Sequence, residues 1–344
     1  EVNFMCGIAG WIERDADMSM RIKLLNNMSQ TLEKRGPDEN GIYINKNTAL
    51  IHRRLVVIDR ENGKQPMSVT HKGKTYTIVY NGELYNTEAL REELRADGFR
   101  FRGHSDTEVV LKMYIKYGSR CADKLNGIFA FAVFNSSDRS IFLCRDKIGV
   151  KPLFYYEYKG GLIFGSEIKA LLASTIVKPK IDEQGLNEIF FLGPARTPSC
   201  GVFKGVHELN PGECAIYKNG ILCREQYYRI EAKEHTDSEN DTIEKTRSLL
   251  TDAIRRQLVS DVPLCFFLSG GLDSSIIVKT ASEYYKERKL GKINTYSVEY
   301  RDNEKFFKKS RFQPNADYEY ISMMADNADT RHREVILDNK ALVD

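Results

Sequence analysis

An apolar run at 262–268 leads straight into Ser269-Gly270-Gly271-Leu272-Asp273-Ser274-Ser275, and a helical pattern follows to about Arg288. Glycines let a backbone come close to an anion. Loop N–H groups and a helix N-terminus supply positive partial charge, and Ser269, Ser274 and Ser275 can add hydroxyl donors. That is the chemistry of a phosphate cradle, although the loop lacks the lysine of the Walker pattern. Asp273 would either help hold Mg²⁺ near the phosphates or cap the helix. A second group begins at Cys6. A lone cysteine is usually an inert small apolar residue, and a thiol with a free pKa of about 8.5 needs activation before it can attack. What raises Cys6 above that reading is the company that follows it in order: Arg35-Gly36-Pro37-Asp38, His52-Arg53-Arg54-Leu55, Asn81-Gly82-Glu83-Leu84-Tyr85-Asn86 and Ser105-Asp106-Thr107-Glu108.

Further on stand Arg145-Asp146 with Gly149, Lys151-Pro152-Leu153 and Phe164-Gly165-Ser166-Glu167. The ordered set resembles the class II glutamine amidotransferases, which are N-terminal-nucleophile hydrolases. The resemblance implies that Cys6 attacks the side-chain amide of glutamine and that its own α-amino group is the base. It puts the side-chain amide of Asn81 and the N–H of Gly82 in the oxyanion hole. Arg54 would grip the α-carboxylate and Asp106 the α-ammonium, with Glu83 beside the oxyanion motif and Val57 giving backbone contacts. The base requires Cys6 to be the first residue. Met5 is therefore expected to be the initiator, removed in the mature form, with Glu1 to Phe4 as an upstream start or an artefact.

The loop at Ser269 is similar to the SGGxDS pyrophosphate loop of the ATP-pyrophosphatase family, whose members cleave ATP between the α- and β-phosphates. The resemblance implies ATP with Mg²⁺ as substrate and no prosthetic group. Phe267 and Leu268 would lead into the loop, and Phe267 and Val298 would form part of an adenine pocket. The two halves together are similar to the bacterial branch of the glutamine-hydrolysing asparagine synthetases; the stretch through Phe312-Gln313-Pro314-Asn315 adds to the likeness. The implied substrates are glutamine, aspartate and ATP, and the implied assembly is a homodimer. In that family the synthetase domain continues well past the equivalent of Asp344. Two alternatives stay open: a relative that amidates another carboxylate, such as a sugar acid or natural-product precursor, and a non-catalytic glutamine- or nucleotide-binding module.

These residues need elements to hold them. Tyr76 to Tyr80 reads as a strand stopping at the Asn81-Gly82 turn signal. Hairpins are expected at 128–134 with 140–145, and at 154–158 with 162–165. Helices at 24–34, 88–97 and 107–117 would cover the sheet faces. Ser105 to Glu108 has the capping-box pattern, which puts Asp106 in a helix's first turn, where a carboxylate is electrostatically comfortable. A polar stretch at 231–241 reads as a linker. Beyond it strands alternate with helices, which argues for a parallel sheet. The expected fold is α+β then α/β: an αββα sandwich over 6–222, a linker over 223–240 and the start of a doubly wound ATP-pyrophosphatase domain over 241–344, with 1–5 as an extension.

Composition sets the outer bounds. The chain has 344 residues and a formal net charge of +3. The charges do not gather into the basic face that nucleic acid would need; the locally basic run from Lys305 to Arg311 reads as a solvated loop. No run of about 18 apolar residues exists to span a membrane. The 7 cysteines are scattered without a CxxC pair, which suits a reducing cytoplasm better than a disulfide framework or a zinc site.

Overall fold

The computed structural model describes residues 5–193, 195–308, 311 and 317–338. The expected extension Glu1 to Phe4 and the stretch Phe312 to Asn315 lie outside the described residues. The chain divides into two compact units at Ala232 and Lys233.

The first unit is built on two six-stranded antiparallel sheets. In one, the order is β10 (Val206–Glu208), β8 (Phe154–Tyr158), β9 (Gly161–Gly165), β1 (Gly7–Glu13), β3 (Thr48–Arg54), β2 (Glu39–Asn45). In the other it is β12 (Ile221–Gln226), β11 (Glu213–Lys218), β7 (Ser140–Arg145), β6 (Gly127–Asn135), β5 (Lys74–Leu84), β4 (Met67–His71). The alternation of side chains along a strand sorts the apolar residues into three cores. Ile8, Leu50, Val79, Ala130, Ala132 and Phe134 meet between the sheets. Ala9, Trp11 and Ile51 turn outward under α1 (Ile22–Thr31) and α5 (Ile168–Ala173). Ile78, Phe129, Phe131 and Val133 turn the other way, under α2 (Thr87–Ala96), α3 (Asp106–Tyr117) and α4 (Cys121–Lys124). The result is the αββα sandwich.

Two local expectations change. Asn81-Gly82 is no turn: β5 runs through it to Leu84, pairing Asn81 with Ala130 and Gly82 with Phe129. Neighbouring β6 reaches far enough to keep the strand paired, which a turn signal read alone does not reveal. The boundary at 222 falls inside β12, which runs to Gln226, and Tyr227 and Tyr228 donate their backbone N–H groups to the Gly212 carbonyl. The strand thus belongs to the sandwich, and the span 223–240 is too long for a linker at both ends, since the next helix starts at Glu239.

The second unit holds a parallel sheet, β13 (Cys265–Phe267), β14 (Asn294–Tyr300), β15 (Arg331–Leu337). Helices Leu272–Glu287 and Tyr318–Asn327 pack against it through Val278, Ala281, Ile321 and Ala325.

Candidate active site

Cys6 immediately precedes β1, a central strand, so its position is fixed by the sheet. The Ser166 hydroxyl accepts from the Ile8 N–H, and the Ser166 N–H donates to the Ile8 carbonyl. The Arg35 Nε donates to the Cys6 carbonyl at 3.1 Å, and the other end of Arg35 pairs with Glu167 at 3.0 Å. The Cys6 sulfur accepts from the Leu55 N–H at 3.4 Å. Burial pushes the Cys6 thiol up, while that N–H, Arg54 and Lys151 pull it down and Asp106 opposes them.

One cleft is lined by Cys6, Arg54, Val57, Asn81, Gly82, Glu83 and Asp106. Every residue that the sequence offers for glutamine therefore faces the same space. Asn81 is 1% exposed, and its side-chain Nδ2 has no hydrogen-bond partner among the described residues. Leaving such a donor buried and unpaired costs about 1–3 kcal/mol, so its place in a cleft beside a sulfur points to a ligand acceptor. The Gly82 amide has a related geometry. The N–H and carbonyl of Phe129, its pairing partner, are both engaged with Asp146. Gly82 and Phe129 are then a non-hydrogen-bonded pair, and the Gly82 N–H points away from β6. On that side the Tyr80 N–H is taken by Gln65 and the Leu84 N–H by Asp106. The two-residue period of a strand puts the Gly82 N–H between them, where β4 has already ended at its Met67–Ile78 pair.

Asp106 is 8% exposed and accepts from the Tyr80 hydroxyl, the Leu84 N–H and the Thr107 N–H. Burial, helped by the charge of Glu83, pushes its carboxyl up to about 6 against those three bonds. Ser105 caps the helix as expected, accepting from Thr107. The returning half of the capping box differs: Asp59 takes the Ser105 N–H, while Glu108 turns to the amides of Arg102 and Gly103 and to Lys112.

Arg54 departs from the expected free fork. Its guanidinium pairs with Glu39 at 2.8 Å and donates to the carbonyls of Ile58, Asp59 and Arg60. It therefore builds the loop wall of the cleft, and a bound carboxylate would have to share it with these partners. Sequence reasoning gave no role to three further residues. Gln65 grips both the N–H and the carbonyl of Tyr80. His52, driven down to about 3 by burial, is a neutral imidazole whose Nε2–H donates to the same carbonyl. Lys151 lines the cleft, although its motif was visible without a role.

In the second unit Phe267, Leu268, Ser269 and Val298 line another cleft with Tyr296 and Asp317. Gly270 to Ser275 are not among the residues lining it; they form the loop and helix start. Gly270 has φ +78, and a Cβ there would lie 2.9 Å from the Asp317 carbonyl oxygen. The Ser274 hydroxyl donates to the Gly271 carbonyl and accepts from the Ser269 N–H, which holds the loop closed.

Comparison with known proteins gives a consistent pattern. A family described as glutamine amidotransferase domain matches residues 5–228, and one described as asparagine synthase matches 245–344. Glutamine-hydrolyzing asparagine synthetase 3 of Bacillus subtilis is 47% identical over 340 residues, covering 99% of this chain and 55% of that protein. Asparagine synthetase 1 of the same organism is 35% identical over 297 residues, covering 86% and 46%. The chain thus spans about half the length of these relatives. Among solved structures, the allosteric regulatory enzyme of purine biosynthesis matches with a TM-score of 0.50 at 13% identity, covering 96% of this chain and 80% of that one, a likeness of fold.

Proposed function

We propose, from the premise that the chain belongs to the glutamine amidotransferase domain family, that it hydrolyses glutamine at Cys6 and supplies the ammonia to an ATP-dependent amidation. The observation that carries this reading is the buried, unpartnered Asn81 Nδ2 in the cleft of Cys6. In the active form Cys6 is the first residue. Its α-amino group, with a free pKa of about 7.7–8.0, takes the thiol proton as sulfur attacks the glutamine side-chain carbonyl. Asn81 Nδ2 and the Gly82 N–H receive the oxyanion. The ammonium then returns the proton to the leaving nitrogen, ammonia departs, and water hydrolyses the thioester. Asp106 holds the α-ammonium of glutamine. Arg54 holds the loop wall and lends positive charge toward the α-carboxylate.

The relatives are named as asparagine synthetases, which supports aspartate as the acceptor, and the Ser/Gly loop at Ser269 supports ATP as the activating substrate. Phosphates would lie against the loop from Ser269 to Ser275, with the base toward Phe267 and Val298. Mg²⁺ would accompany the nucleotide, and Asp273, in the first turn of the following helix, is the residue that would meet it. Cytoplasmic location and a homodimer belong to the same reading.

The test is glutamine hydrolysis by a chain beginning at Cys6. Asn81→Ala should lower kcat roughly 10²–10³-fold, the usual loss for one oxyanion donor, and Cys6→Ala should abolish turnover. Wild-type turnover in either variant would overturn the assignment.

A further inference from the structure

We propose that Lys151 is a positioning residue of this site, acting through Cys6: its ammonium holds the sulfur in the anionic form that attacks the amide. The inference rests on Cys6 being the nucleophile.

Lys151 is 7% exposed and lines the cleft of Cys6, and its Nζ lies 3.0 Å from the Met5 sulfur. Its backbone is locked. The Asp146 carboxylate accepts the N–H groups of Ile148, Val150 and Lys151. Arg145 donates to the carbonyls of Lys151 and Gly149. Gly149, at φ +72, sits where a Cβ would meet Pro211 at 2.7 Å. A surface lysine needs no such scaffold.

Charge accounting separates Lys151 from its neighbours. Three cations stand near Cys6, on different elements. Arg54, at the end of β3, is paired with Glu39, and Arg35, after α1, is paired with Glu167. Lys151 has no carboxylate partner in an ion pair among the described residues; a thioether, a weak acceptor, is its recorded contact. The facing acids are Asp106 on α3, which disfavours a thiolate, and Glu83 on β5, which with Asp146 and Cys6 favours the ammonium while burial and Arg35 oppose it. An ammonium and a thiol that burial each drives toward neutrality stabilise one another's charge when they share one cleft.

The experiment is the pH dependence of Cys6 alkylation by iodoacetamide in the full chain. It is read from the mass of the Cys6 peptide, because Cys223 and Cys265 are exposed and would react too. Lys151→Met should move the midpoint up by about one unit and slow alkylation at pH 7 about tenfold, and Lys151→Arg should keep the wild-type profile. An unchanged midpoint in a folded K151M would overturn the proposal. A second measurement leaves position 151 intact: the NMR titration of the Lys151 side chain should move to lower pH in Cys6→Ser, and an unmoved titration overturns the proposal too. Both readouts are independent of glutamine turnover. A protein that shows these shifts but hydrolyses no glutamine when Cys6 is its first residue contradicts the proposed function alone, and one that turns over glutamine in that form without the shifts contradicts Lys151 alone.

Discussion

Buried beneath Tyr80 and bonded to the amides of Leu84 and Thr107, Asp106 keeps a carboxyl pushed up to about 6 by burial. Glutamine kcat/KM should fall as pH drops through about 6, because protonated Asp106 no longer attracts an α-ammonium. Stability moves the other way. A carboxyl raised from 3.8 favours the folded state most below pH 3.8 and loses that contribution as pH rises through 6. Asp106→Asn should therefore gain up to about 3 kcal/mol at pH 7.5, less whatever its weaker hydrogen bonds forfeit, with the gain closing toward pH 4. Thermal melts of both proteins across that range check the sign. Ser105 and Asp106 were readable from the helix-start pattern, since capping is local in sequence. The Tyr80 hydroxyl and the Asp59 carboxylate were not, because they arrive from 26 and 46 residues away. Arg54 shows the same limit: its residue type promised a fork for a carboxylate, and tertiary contacts commit that fork to Glu39 and the 58–60 loop.

The elements carry the site through one strand. β5 presents Tyr80, Asn81, Gly82, Glu83 and Leu84 in succession. Two of its amides are taken by Gln65 and Asp106, and the Gly82 N–H between them faces the cleft. Gly82 is required for a second reason: a Cβ there would stand 2.4 Å from the Ile128 carbonyl oxygen of β6 and 2.7 Å from the Phe129 side chain. Gly82→Ala should push β5 from β6, cost about 1–3 kcal/mol in denaturant unfolding and remove most glutamine turnover. A variant with full stability and activity would show that the approach of the strands is not needed. Strand alternation and helix spacing were legible in the sequence because each core face is written as a period. Asn-Gly was read as a turn because its local chemistry favours one; only β6, arriving from more than forty residues away, makes it strand.

The chain forms two compact units, a sandwich that holds Cys6 and a unit whose parallel sheet leads through β13 into the Ser269 loop, and the proposed function assigns a separate step to each. Gly270→Ala places a Cβ at a positive φ and against the Asp317 carbonyl. It should weaken ATP binding in equilibrium dialysis while glutamine hydrolysis at Cys6 stays unchanged. Equal loss of both would contradict a division of labour along these lines. If Cys6 acts with its own α-amino group, glutamine hydrolysis should differ between a chain that begins at Cys6 and one in which Met5 is retained. Turnover should be present in the first and absent in the second, where the nitrogen is a peptide amide, too weak a base to take the thiol proton. Equal rates from the two chains would contradict that role for the α-amino group.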